Sequence, residues 1–489
     1  MLIRFINCDY KYETEAVTKL FFPLEHFKFL FDDSRSDETD HITVTKTDTL
    51  TISVKTGDSP ERRAEYPVGN SKKENESTVG RGLFELLCEI TGKAPEWGCL
   101  TGIRPVRKVN DLLDEGCSRE ECFERLKAAY HISGNKFALL YDTAITQRPA
   151  VKALDPKSYS LYIGIPFCPS RCSYCSFVSH SIASRGALKL MGEYVDKLTE
   201  ELKLTAQIAA KSGLHPNTVY IGGGTPTTLS AEDISQVIGT VRAEFDLSKC
   251  AEFTVEAGRP DTITEEKLKA LKENGVTRIS VNPQTLSDEV LKNIGRIHST
   301  EQFYDAFAAA RKCGFDNINC DTIAGLPGDT PEGFCDTLRK LRELSPEGIT
   351  VHTLTVKNGA RLSGCTRDDL AADEWVSRET DFGYRFLKES GYSPYYLYRQ
   401  KNTIGNLENT GYAKPGFECL YNIYIMDEQQ SILAAGCGGS TKIVSPDGCI
   451  RRYFNYKYPY EYISRYDTMM NYKQNGELLR ILTESCAEI

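Results

Sequence analysis

From Ser160 onward the chain alternates short apolar stretches with longer amphipathic ones, and this alternation limits the possible folds more than any other feature. The strand candidates are residues 161–165, 218–221, 252–256, 278–281, 317–323 and 349–354; helix-period stretches at 188–211, 231–245, 265–273, 300–312 and 331–344 lie between them. Short strands joined through helices pair in parallel, and right-handed crossovers place the helices on the outside. Six such units curl toward a barrel but are fewer than the eight that close one. The expected class is α/β, a partial (β/α)6 TIM-type barrel over residues 159–355 whose open side admits a large substrate.

The flanks read differently. Residues 1–150 are expected to form a small α/β accessory domain, with a strand at the start, a hairpin over 42–54 and helices at 81–90, 106–113, 120–130 and 135–147. The polar stretch 55–78 reads as a mobile loop, the Trp97-to-Pro105 segment as a structured turn, and 149–158 as the linker to the barrel. Residues 356–489 are expected to cover the substrate. Within them a helix at 371–388 and an aromatic run at 392–401 precede Gly-rich loops at 402–416 and 436–442 that would close the open side, and a helix at 458–475 follows.

Composition narrows the function. The chain has 489 residues and a formal charge of −9, which argues against a nucleic-acid surface. No run of about eighteen apolar residues occurs and the first residues are too short for a signal-peptide core, so a cytoplasmic protein without a membrane span is expected. Seventeen scattered cysteines without an export signal read as reduced thiols.

Three of those thiols stand apart. Cys168, Cys172 and Cys175 follow the first barrel strand with the spacing C-x3-C-x2-C. Three soft ligands on one tight loop suit a cubane iron–sulfur cluster with one iron left open. The alternative is a zinc site that completes its tetrahedron with His180. Other polar or glycine positions fall at the carboxyl ends of the following strands, where barrel chemistry collects. They are the Gly222-Gly223-Gly224-Thr225-Pro226 turn, Glu256, Gln284 and Asp321, with Arg296 a short helix beyond Gln284. Their convergence beside the thiols suggests a pocket for a nucleoside with an amino-acid tail.

These motifs, together with Arg278-Ile-Ser-Val-Asn-Pro-Gln284, Gly295-Arg-Ile-His and Asp321-Thr-Ile-Ala-Gly-Leu-Pro-Gly, resemble the radical S-adenosylmethionine (SAM) superfamily. Within it they are similar to the oxygen-independent coproporphyrinogen III oxidase (coproporphyrinogen dehydrogenase) family. Leu100-Thr-Gly-Ile-Arg-Pro and the 396–422 segment look like its HemZ-type branch. The resemblance implies that Cys168, Cys172 and Cys175 bind a 4Fe-4S cluster whose free iron takes SAM. It implies that Gly223, Gly224 and Thr225 hold the methionine end, that Tyr162 lies beside the cofactor and that Glu256 holds the ribose. A second SAM would lie on Gln284, Arg296 and Asp321, near Tyr174. Tyr162 and Arg296 become the candidate catalytic residues.

The implied activity is oxidative decarboxylation of two propionates of coproporphyrinogen III to vinyl groups, in haem biosynthesis. It would be carried out by a monomer that draws electrons from a donor such as a flavodoxin or ferredoxin. Arg399, Lys401 and Lys414 are candidate partners for the substrate's carboxylates. The sequence departs from well-studied decarboxylating members at Gly164, where they carry histidine, and at Phe177, where they carry cysteine. Phe177 is shared with a neighbouring branch of haem chaperones, yet that branch's haem-binding histidine is replaced here by Tyr421. The alternatives are therefore a haem-binding chaperone on the same fold, or a radical SAM enzyme acting on another tetrapyrrole.

Overall fold

The structure, a computed structural model, describes the chain except residues 24, 33–38, 176–179, 184, 356–372, 401–402, 446–447, 476–477, 479, 481 and 483–489. Two compact units are present, one of Met1–Tyr141 with Arg399–Leu407 and one of Asp142–Tyr398 with Glu408–Ile489.

In the first unit, strands β1 (Leu2–Ile6), β2 (Lys28–Leu30), β3 (His41–Lys46), β4 (Thr49–Lys55) and β5 (Arg62–Pro67) form a sheet in the order β2-β1-β3-β4-β5. Alternate residues of β3 and β4 are buried, so the sheet has one apolar face. Helices α1 (Lys11–Phe21) and α2 (Lys72–Thr91) contribute Val17, Val79, Leu83 and Leu87 to the core on that face. Helices α3 (Val106–Asp114) and α4 (Arg119–Tyr130) follow. The polar stretch 55–78 is not a loop, because it contains β5 and the first turns of α2. Ser71 caps α2, its hydroxyl accepting from the Glu74 amide at 3.1 Å. Nor is 149–158 an open linker: helix α5 (Gly134–Lys152) runs through Pro149. The Trp97–Pro105 segment is a packed turn with Trp97 and Leu100 buried.

The second unit is built on one sheet. Its central strands are β6 (Ser158–Ile165), β9 (His215–Gly223), β10 (Glu252–Glu256), β11 (Arg278–Ser280), β12 (Ile318–Ala324) and β13 (Gly348–Thr353), all parallel to one another. A two-residue pair, β7 (Phe167–Cys168) and β8 (His180–Ser181), stands apart from it. Near-continuous burial along β6, β10 and β11 fits strands covered on both faces. The intervening helices are α6 (Arg185–Ser212), α7 (Ala231–Glu244), α8 (Glu265–Glu273), α9 (Asp288–Asn293), α10 (Thr300–Lys312) and α11 (Pro331–Leu344). Ser230, Thr264, Ser299 and Thr330 start α7, α8, α10 and α11 by accepting a backbone amide three residues on.

Helix α12 (Asp373–Glu389) is followed by β14 (Ser393–Arg399), β15 (Glu408–Ala413), helix α13 (Leu420–Asp427), β16 (Ser431–Gly436), β17 (Ser440–Val444) and β18 (Ile450–Phe454). Helices α14 (Pro459–Ser464) and α15 (Tyr466–Gln474) come last, in place of one continuous helix. The sheet order is β14-β15-β13-β12-β11-β10-β9-β6-β16-β17-β18. The architecture is thus the α/β partial barrel, and the sheet does not close. The Gly-rich stretches 402–416 and 436–442 do not act as closing loops. The first contains β15, antiparallel to β13; the second is the turn from β16, a further parallel strand beside β6, into antiparallel β17. No described helix is long and apolar enough to cross a membrane.

Candidate functional site

The cysteine loop leaves the end of β6 and is tied down on two sides. On one, the Gly224 amide donates to Ile165 O and the Thr225 amide to Phe167 O, both at 2.7 Å. A Cβ on Gly224 would stand 2.5 Å from Phe167 O, and Gly223 has φ +107°, so glycine is what lets this turn lie against the loop. On the other side the Ser173 amide donates to Ile294 O (2.9 Å) and the Ser170 hydroxyl to Gly295 O (3.1 Å). The Thr225 hydroxyl donates to Cys168 Sγ at 3.5 Å, and the guanidinium of Arg259, itself 3% exposed, reaches Cys172 Sγ at 3.6 Å.

Among the described residues no three His, Cys, Asp or Glu side chains converge as ligands of one metal ion. A tetrahedral zinc centre requires such convergence, whereas the corners of a cubane are separate iron atoms and their thiolates need not meet at a point. His180, the zinc alternative's fourth ligand, packs its ring edge-on to Tyr458 and Tyr460. The loop fits a cluster in another respect: the nearby Arg259 cation offsets the negative charge of a thiolate-ligated centre.

The remaining expected residues line the strand ends. Glu256 closes β10, and its carboxylate accepts from the Tyr220 hydroxyl at 2.6 Å. Burial pushes its pKa up to about 7 despite the Tyr220 bond, and the charge of Asp321 adds to the rise. Asp321, in β12, accepts from the side-chain amides of Asn282 and Asn319, each at 2.7 Å. His352 Nε2, from β13, lies 3.8 Å from Asp321 Oδ2, and its Nδ1 lies 3.3 Å from Asn409 Oδ1 of β15. Burial works against charge on both partners of this pair. Their contact nevertheless holds the aspartate below its ordinary value and the histidine above it, with Asn409 and Glu256 also favouring the imidazolium.

Gln284 has φ +68°, pinned by its amide to Asp321 O and by the Ile323 amide to its own carbonyl, both at 3.0 Å. Its side-chain oxygen is buried without a hydrogen-bond partner, which a polar ligand could supply. Arg296 is buried, donating to Asn282 O (2.9 Å), Gly258 O (3.3 Å) and the Tyr174 hydroxyl (3.4 Å). Tyr162 lies beside the stacked pair Tyr220 and Tyr421, whose centroids are 4.4 Å apart, at 6.4 and 6.3 Å from them.

The expected cofactor residues therefore lie at or beside neighbouring strand ends, whereas the described carboxylate candidates, Arg399 and Lys414, are each held by other contacts. Arg399 is 6% exposed, donates to Leu100 O and Asn406 O, and lies over the Trp97 ring within the first unit. Lys414 is held by Ser345 O and Glu347. Lys401 and Phe177 lie outside the described residues. Sequence reasoning missed Arg259, Tyr220, His352 and Asn409. The last two carried no motif, and only the register of β12, β13 and β15 brings them to Asp321.

A six-unit parallel sheet with a three-cysteine loop at its first strand end defines a radical SAM protein, and the Radical SAM superfamily model matches residues 162–341. The superfamily works with a 4Fe-4S cluster and S-adenosylmethionine. The chain belongs to its family of oxygen-independent coproporphyrinogen-III oxidase-like proteins. It is 40% identical over 403 residues to the oxygen-independent coproporphyrinogen-III oxidase-like protein HemZ of Bacillus subtilis (strain 168), covering 81% of this chain and 79% of that protein. The haem chaperone HemW of Escherichia coli (strain K12) is 32% identical over 300 residues, 61% of this chain and 74% of HemW. Among solved structures, coproporphyrinogen III oxidase (HemN) from Escherichia coli, described as a radical SAM enzyme, aligns with TM-score 0.51 at 25% identity. That alignment covers 66% of this chain and 72% of HemN.

Proposed function

We propose that the chain is an oxygen-independent oxidoreductase that converts coproporphyrinogen III to protoporphyrinogen IX, removing two propionate carboxyls as carbon dioxide and leaving vinyl groups. The observation that carries this reading is the line of polar side chains, from Glu256 through Asp321 to Gln284 and Arg296, set at strand ends beside the cysteine loop. Likeness to HemZ and HemN supports the choice of substrate.

In this reading Cys168, Cys172 and Cys175 ligate three irons of the cluster. Gly223, Gly224 and Thr225 receive the methionine end of SAM, with Tyr162 beside it and Glu256 at the ribose. Gln284, Arg296 and Asp321, near Tyr174, hold a second SAM. Bound together, cluster and nucleotide would supply one-electron cleavage of a carbon–sulfur bond and so a hydrogen-atom acceptor for the substrate, the second electron of each decarboxylation leaving to an external one-electron acceptor. The protein's own groups do the positioning. Arg259 and Arg296 place fixed positive charge behind the loop, and the stacked tyrosines keep water from one wall of the site. Glu256, poised near neutrality, accepts or donates a proton at its carboxyl without leaving its bond to Tyr220.

The protein acts in the cytoplasm and takes its electron from a donor protein. Anaerobic incubation of the reconstituted protein with SAM, dithionite and coproporphyrinogen III tests the assignment. Vinyl product is expected; 5′-deoxyadenosine without vinyl product would point to another tetrapyrrole.

The haem-chaperone reading has one specific support, the 32% identity to HemW. Against it, Tyr421 stands on α13 where that branch has its histidine, is 6% exposed and is stacked on Tyr220. Stoichiometric haem uptake without product in the same assay would favour the chaperone.

A further inference from the structure

The segment 450–465 differs in character from the rest of the chain. It carries four Arg or Lys residues (Arg451, Arg452, Lys457, Arg465) against one acid, Glu461, in a protein of net charge −9. It also holds six aromatic residues in sixteen positions. Its first part, β18, is the outermost strand of the large sheet and, among the described residues, pairs with β17 alone. Large apolar groups stand open along it: Phe454 is 69% exposed, Tyr460 50% and Tyr458 39%. Exposed aromatics interleaved with arginine are the composition of an interface and not of ordinary solvated surface.

This face is rigidly based and lies next to the cysteine loop. Asn455 donates to Glu201 Oε1 (2.7 Å) and to Gly436 O (2.9 Å), and the Tyr462 hydroxyl donates to Glu201 Oε2. Above that base, Tyr458 and Tyr460 stack at 5.4 Å and both meet the His180 ring edge-on, at 6.0 and 6.2 Å. His180 opens β8, whose partner β7 ends at Cys168, so one side chain joins the exposed strip to the thiol loop. Arg452 is paired with Glu428 at 2.7 Å. Arg451 and Lys457 are both exposed.

We infer that this strip is the docking face for an acidic one-electron donor protein serving the centre held by Cys168, Cys172 and Cys175. The inference rests on the cluster reading above. Charge selects the occupant: an acidic carrier is repelled by the protein at large and attracted here, which orients it with its redox group toward the loop. In the step the donor is oxidised by one electron and the cluster reduced by one, with no bond made or broken and no proton moved.

The test uses the cluster-loaded full chain, with reduced flavodoxin as the acidic carrier and dithionite as a small reductant that needs no docking. Binding is measured by calorimetry at low and high salt for the wild type, for Arg451→Glu/Lys457→Glu and for the milder Arg451→Gln/Lys457→Gln. The inference expects wild-type binding to weaken at least tenfold with salt. It expects the charge-reversal variant to bind at least tenfold more weakly and the neutral variant to fall between. Flavodoxin-driven 5′-deoxyadenosine formation should follow the same order while the dithionite-driven rate stays unchanged. Equal, salt-insensitive binding by all three proteins overturns it. So does sedimentation showing that a second copy of the chain occupies the face and is released by charge reversal. If dithionite fails to cleave SAM even in the wild type, the cluster reading falls, and the calorimetric comparison still decides whether an acidic carrier docks here.

Discussion

Glu256, proposed above to sit at the ribose of SAM, also makes stability depend on pH. Its folded pKa of about 7 lies above the ordinary 4.5, so between those values the native state holds a proton that the unfolded chain has lost. Stability from this group is present at low pH and is lost as pH rises from about 4.5 through about 7. Glu256→Gln should flatten that decline, narrowing the loss between pH 5 and pH 8 by up to about 3 kcal/mol in paired urea titrations. Arg259 makes a different prediction. Its charge, 3.6 Å from Cys172 Sγ, favours the more negative, reduced cluster. Arg259→Gln should lower the midpoint potential by roughly 50 mV, about a tenfold change in a one-electron equilibrium, with iron content retained in a spectroelectrochemical titration. At this scale the sequence singled out the three cysteines, the glycine turn and Gln284 by residue type and spacing, and the fold brings them to neighbouring strand ends. The sequence was silent on Arg259, Tyr220, His352 and Asn409, whose contacts arise only when distant loops and strands are brought together.

The contact between β6 and β16 accounts for glycine at position 164. Gly164 pairs with Gly436, and a Cβ on Gly164 would lie 2.5 Å from Cys437 O, which is backbone and cannot swing away. Gly164→His should therefore lower the melting temperature by several degrees and reduce SAM cleavage, and the histidine should not improve decarboxylation. Glu379 of α12 makes a second element-level prediction. Its carboxylate accepts the buried Gly325 amide at 2.7 Å, in the turn that follows β12. Glu379→Ala should cost about 1–3 kcal/mol in chemical denaturation because it orphans that amide, and Glu379→Gln, which keeps an acceptor, should cost less. The six central strands were legible because apolar runs mark strands buried on both faces. Strand β5 and the first turns of α2 were not, because their residues are mostly polar and exposed. Strand β15, Glu408–Ala413, was hidden for the opposite reason: Glu, Asn, Thr and Gly are fully buried there, and only a neighbouring strand makes such a sequence extended.

For the molecule as a whole, the sequence indicated the radical SAM fold and that superfamily's cofactors because motif order follows strand order in a parallel sheet. It did not show that the C-terminal third builds both edges of that same sheet, since pairings such as Tyr159 with Ser431 or Gly348 with Ala413 join distant segments and leave no local pattern. The central claim is that the loop of Cys168, Cys172 and Cys175 carries a 4Fe-4S cluster with one iron free to take SAM and cleave it. The most direct measurement is 5′-deoxyadenosine released per chain when anaerobically reconstituted protein is mixed with SAM and dithionite, with Cys172→Ala run alongside. The account predicts iron- and sulfide-dependent 5′-deoxyadenosine from the wild type and none from the variant. Intact SAM with the wild type, or equal cleavage by the cysteine variant, would contradict it.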